Sequence, residues 1–101
     1  MKRAEAELRN RFSGEMKPLK EKLAKLEDDI DRMEKEKSEI EQQLADPAFY
    51  ESGDAQGTLK NHGDLERRLA RSWNNWTEAT SRMEELQDRF DAALEEIMTK
   101  V

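Results

Sequence analysis

From Leu19 to Leu44 an apolar residue recurs every three or four positions, interrupted only at Lys37. Leu19, Leu26, Met33 and Ile40 form one line; Leu23, Ile30, Lys37 and Leu44 form the other. Alternating three- and four-residue steps keep both lines on one narrow face of a helix that supercoils with a neighbour. A second face follows, with Leu69, Trp76, Met83, Phe90 and Ile97 on one line. Its expected companion line is Leu59, Trp73 and Leu94, broken by Glu66, Thr80 and Gln87. Leu65, Ala79, Leu86 and Ala93 widen this face on one flank, a breadth suited to covering a facing helix.

Between the two patterns, Asp46-Pro47 and Ser52-Gly53-Asp54 with Gly57 supply stop and turn signals. Asp46 suits the cap of a new helical turn and Pro47 its first position, where a missing N–H costs nothing. Phe49 and Tyr50 then come round to the end of the seam, to plug the tip or to touch a partner through an exposed ring. The pattern predicts an all-α fold, a two-helix antiparallel coiled-coil hairpin forming a single domain over 1–101. Helix one spans about 3–45 with a kink allowed at 14–18, the tip 46–57 holds a short turn at 47–50, and helix two spans about 58–98.

Two residues bear on those boundaries. Pro18 cannot donate to residue 14, so the first helix either kinks there or the coiled coil begins at about Lys17, leaving 1–13 separate or bent. Gly63 costs about 1 kcal/mol relative to alanine inside a helix, which would let the second helix start properly at Asp64. Pairing Leu44 with Leu59 sets an antiparallel register that turns Trp73 and Trp76 inward, near Ile30 and Met33 or slightly toward Leu26. Lys37 is a polar seam residue that can fix register while its stem snorkels beside Leu65 or Glu66. His62, the only histidine, reads as a seam residue, since no second histidine or paired nucleophile accompanies it.

Composition agrees with a thin fold: 42% of residues are charged, 35% are hydrophobic, and the mean hydropathy is −1.13. Such a chain cannot fill a thick core, and heptad spacing in both halves argues against disorder. The absence of cysteine excludes disulfides and thiolate metal sites. No apolar run approaches the roughly 20 residues of a membrane span, so a soluble, cytoplasmic chain with no membrane contact is expected. No phosphate-cradling glycine loop, metal spacing or catalytic triad is present. The chain reads as non-enzymatic and without a cofactor of its own.

The net charge of −6 is unevenly spread. Residues 1–25 carry eight Lys or Arg against four Glu, whereas residues 26–50 carry three against nine acids. In an antiparallel hairpin the basic first segment lies beside Glu84, Glu85, Asp88, Asp91, Glu95 and Glu96, so much of its charge is expected to be answered internally. Candidates for nucleic-acid contact through backbone phosphates are Arg9, Arg11, Lys17, Lys20, Lys22, Arg67, Arg68 and Arg71. Phe49 and Tyr50 are the candidates for contact at the tip.

In this order of features the chain resembles the C-terminal coiled-coil domain of bacterial ABC-F ATP-binding cassette proteins. The resemblance covers nearly the whole chain. It is carried by Lys2-Arg-Ala-Glu-Ala-Glu-Leu-Arg9, by Met16-Lys-Pro-Leu-Lys20 with its following heptads, by Leu44-Ala-Asp-Pro-Ala-Phe-Tyr50, and by Trp76 with Met83-Glu-Glu-Leu86. It implies a non-catalytic accessory arm of an ATPase whose ATP and magnesium bind in cassettes elsewhere in the parent. The implied partners are the ribosome or nucleic acid and the parent's own cassettes, with the hairpin itself monomeric. The alternative is a protein-interaction or spacer module that positions the cassettes without touching nucleic acid.

Overall fold

A computed structural model describes residues 2–51 and 54–100. Its elements are α1 (Lys2–Ala45), α2 (Pro47–Glu51) and α3 (Ala55–Thr99). The fold is an all-α hairpin in which α1 and α3 pack antiparallel. The junctions follow local chemistry. Ala48 N–H donates to Asp46 Oδ1 at 3.0 Å and Phe49 N–H to the Asp46 carbonyl at 3.1 Å, so Asp46 caps α2 with Pro47 in its first position. At the start of α3, Thr58 N–H donates to the Asp54 carbonyl at 3.2 Å. The expected turn residues Ser52 and Gly53 lie outside the described residues.

The chain divides into two compact units, one formed by Met1–Lys25 with Trp76–Val101 and the other by Leu26–Asn75. In the first, Met16 and Ala79 are buried, and Phe12 stacks on Phe90 with ring centroids 4.4 Å apart and planes 25° from parallel. Leu8, Leu19, Leu23, Met83, Leu86 and Ile97 are half-buried around them. The seam of this unit therefore begins well before Lys17, and the expectation of a separate or bent segment over 1–13 is corrected. Leu8, Phe12 and Met16 are spaced by two successive four-residue steps before the regular alternation resumes at Leu19. Such a shift locally relaxes the supercoil, and Pro18 follows directly after it. Pro18 is exposed, and the carbonyl it cannot satisfy belongs to Gly14, which has open space around it. One outward-facing hydrogen bond is lost while the packed side of the helix continues.

In the second unit the buried residues are Ile30, Met33, Leu65 and Leu69. Both expected lines of α1 lie in the seam, Lys37 included, as every member is buried or half-buried. The expected companion line of α3 is corrected at Leu59, 49% exposed, and Trp73, 44% exposed; Leu94 is half-buried, and Leu65 and Ala79 on the widening flank are 3% exposed. The seam of α3 runs Ala55, Thr58, His62, Leu65, Leu69 and Ser72 in this unit, then Trp76, Ala79, Met83, Leu86, Phe90, Ala93 and Ile97 in the first. Steps of three and four alternate without a break, so burial follows the helical period even where the residue is small or polar. Trp73 is one position beyond that seam; Trp76 is in it.

The helix α3 also starts earlier than expected, at Ala55, and runs through Gly57 and Gly63. An added Cβ at Gly63 meets only Arg67 Nη1 at 3.7 Å, an ordinary contact, and one at Gly14 meets nothing within 4 Å. Both positions are helical, so alanine removes unfolded-state freedom without creating a clash. We expect Gly14→Ala and Gly63→Ala each to stabilise the chain by about 0.5–1 kcal/mol, read as a raised urea midpoint with an unchanged slope. Gly57→Ala should gain less, because its Cβ would sit 2.8 Å from Oδ1 of Asp54, which precedes α3.

Candidate nucleic-acid interface

Every one of the eight basic candidates is exposed. Arg9, Arg11, Lys17, Lys20 and Lys22 belong to the first unit, and Arg67, Arg68 and Arg71 to the second. Along α1, Arg9 and Lys20 are eleven residues apart, as are Arg11 and Lys22, which brings each pair within about 20° on the helix surface and about 16 Å along it. Lys22 lines an open groove with Glu15, Pro18, Glu78, Arg82 and Arg89. Sequence reasoning did not select Arg82 and Arg89; their seven-residue spacing was the available signal.

Internal neutralisation of these cations is not what the structure shows. In the first unit the ion pairs among the described residues are Arg3–Glu7 at 3.4 Å and Lys100–Glu96 at 3.2 Å, each within one helix. Neither engages a candidate residue. In the second unit Arg67 pairs with Asp64 on its own helix and Arg32 with Asp29. Arg68 and Arg71 line a groove there with Asp29, Arg32 and Glu36, so they share a flank with acids. Long exposed side chains lose more entropy on pairing across a seam than high-dielectric attraction returns, which is why antiparallel placement alone does not pair them.

A polar contact between the helices is built on His62. Its Nε2 lies 3.2 Å from Glu41 Oε1 on α1, and its Nδ1 lies 3.3 Å from Glu66 Oε1 on α3. Lys37 Nζ reaches the same Glu41 oxygen at 3.8 Å, so the lysine is answered by its own helix. Relative to the expected Leu44–Leu59 pairing, Glu41 and His62 are each three residues in, which is the same antiparallel register. Lys37 and His62 thus form a polar layer in a mostly apolar seam that also holds Thr58 and Ser72. At the tip, Phe49 is half-buried and Tyr50 is 51% exposed, with the rings edge to face at 6.3 Å.

Among the described residues no group of three or more His, Cys, Asp or Glu is placed to hold a metal ion, and no helix is long and apolar enough to cross a membrane. The geometry defines a coiled-coil hairpin with charged open flanks and a polar layer at Lys37 and His62. The chain belongs to the ABC transporter C-terminal domain family, whose model matches residues 17–80. No curated protein and no solved structure matches it.

Converting the polar layer to leucine tests its role. The double substitution Lys37→Leu with His62→Leu should raise thermal stability by about 1 kcal/mol or more while weakening the preference for one register and one chain. Melting curves together with sedimentation velocity would show a higher Tm and a two-chain species; a lower Tm would mean that the layer stabilises the fold directly.

Proposed function

We propose that this domain is the accessory arm of an ABC-F ATPase of bacterial type, and that the α1 segment of its first unit contacts nucleic acid, in the ribosome or as DNA, through backbone phosphates. The observation that carries the reading is that Arg9, Arg11, Lys17, Lys20 and Lys22 are exposed and none is held in an ion pair among the described residues. Cations free of internal partners can displace the counterions that surround phosphates, a sequence-independent attraction. Nothing here is shaped to read bases, so contact positions the arm without specifying a sequence. ATP and magnesium belong to the parent's cassettes, and Tyr50 is the proposed contact at the tip.

Titrations of the chain against purified bacterial ribosomes, ribosomal RNA and duplex DNA at several salt concentrations test this. Affinity should fall steeply with salt and be indifferent to sequence. The double reversal Lys20→Glu with Lys22→Glu should reduce the slope of log K against log salt by about 1–2. Binding that does not change with salt would overturn the phosphate reading.

A further inference from the structure

The open groove of the first unit is edged by charges of both signs. Glu15 and Lys22 come from α1, and Glu78, Arg82, Glu85 and Arg89 from α3. All six are exposed, and none is in an ion pair or a side-chain hydrogen bond among the described residues. The four on α3 alternate in sign at steps of four, three and four, so each has an opposite charge one turn away on its own helix and is still unpaired. Alternating charges beside an apolar seam are the device by which a coiled coil sets the identity and direction of a facing helix. Buried Ala79 and half-buried Leu19 and Leu86 line the same groove.

The order of the signs is antisymmetric about one level. The midpoint of Glu78 and Arg89 is also the midpoint of Arg82 and Glu85, between Met83 and Glu84. On α1, the midpoint of Glu15 and Lys22 falls between Pro18 and Leu19. In the register fixed by the Phe12–Phe90 stack, Leu19 is level with Met83 and Pro18 with Glu84, so the two midpoints coincide along the unit. A two-fold axis crossing the groove at that level sets a second groove against the first with its helices antiparallel. Glu78 then faces Arg89 of the second copy, Arg82 faces Glu85, and Glu15 faces Lys22, each pair occurring twice. We infer that this groove is the contact surface of a symmetric dimer, occupied by the same groove of a second copy of the chain. An isologous contact demands a self-complementary patch, and the sign order supplies one. The unit that bears it is neutral, with eleven basic and eleven acidic residues, whereas Leu26–Asn75 carries the entire net charge of −6. Two copies therefore meet here without net repulsion, while the interleaved carboxylates suit the groove poorly to a row of phosphates. Each hairpin stays intact in this dimer, which is distinct from an exchange of chains across the polar layer.

Sedimentation equilibrium of the whole chain, without nucleic acid, tests the assignment. The mass should rise from 11.8 kDa to twice that value with concentration, with a Kd of roughly 10–100 µM, the weak end expected of one groove. Arg82→Glu alone and Glu85→Arg alone each set like charges opposite one another and should weaken association at least about tenfold. The double variant Arg82→Glu with Glu85→Arg inverts both signs within one chain, restores every pair, and should return the Kd to within about threefold of the original. An equimolar mixture of the two single variants should associate as well, since each then supplies the sign that the other lacks. Both positions are exposed, so the reversals leave the seam intact. A mass that stays at 11.8 kDa throughout, single reversals without effect, or a double variant as weak as the singles would each overturn the assignment. The variants keep Arg9, Arg11, Lys17, Lys20 and Lys22, so failure here leaves the salt-dependent phosphate titrations untouched, although the two surfaces share Lys22.

Discussion

Everything in each unit depends on a single apolar seam between two helices. The buried residues are Met16, Ile30, Met33, Leu65, Leu69 and Ala79, all apolar, and the described residues include no buried polar or charged side chain. With so few fully buried groups, backbone ordering is offset by many half-buried contacts along the seam and by the helices' own hydrogen bonds. The two helices contribute unequally. In the register fixed by Phe12 on Phe90, Ala79 is level with Leu23; in that fixed by Glu41 on His62, Ser72 is nearly level with Ile30. At these two levels a small residue on α3 is opposite a large one on α1, a pairing that avoids overpacking.

That inequality explains what could and could not be read from the sequence. Both lines of α1 are rich in leucine, isoleucine and methionine, so its face was legible residue by residue, Lys37 included. One line of α3 was equally clear. The other was misassigned at Leu59 and Trp73, because these outweigh Thr58 and Ser72 on any hydrophobicity scale although the latter occupy the packed positions; Leu94 is half-buried. Burial here is set by the three-four alternation and by the room that α1 leaves, not by side-chain size. Thr80 illustrates how a polar residue sits beside the seam: its Oγ1 donates to the Trp76 and Thr77 carbonyls at 3.0 and 2.9 Å, so it asks nothing of the facing helix. The cap at Asp46 and Pro47 was legible because it is local chemistry. The seam before Lys17 was not, since two consecutive four-residue steps hide Phe12 and Met16 from a strict heptad count, and Pro18 reads as a helix break.

The candidate interface was legible in identity and not in state. Residue types named the exposed cations, yet only coordinates show that those of the first unit are in no ion pair among the described residues, whereas Arg67 is paired with Asp64. Charge sums make the consequence concrete. The first unit has eleven basic and eleven acidic residues, but its α1 segment carries +4 and its α3 segment −4. A neutral unit therefore has two faces of opposite sign. A phosphate surface approaching it is attracted on the α1 side and repelled on the α3 side, with both effects confined to roughly a Debye length of about 8 Å at physiological salt. Such a unit selects an orientation more strongly than it gains affinity.

Because stability is confined to the seam, the open flanks are free to vary in charge with little effect on folding, as exposed substitutions generally cost within about 0.5 kcal/mol. Recognition can then be written on the flanks independently of the fold. The polar layer of Lys37, Glu41, His62 and Glu66 is where the two meet. A neutral imidazole has one N–H and can donate to only one of its two carboxylate neighbours, whereas an imidazolium donates to both. Glu41 and Glu66 are both exposed on the flank from which they meet His62. The residue that joins the helices across the seam thereby meets an exposed carboxylate on each helix, so loss of the His62 contact changes that flank as well as the register.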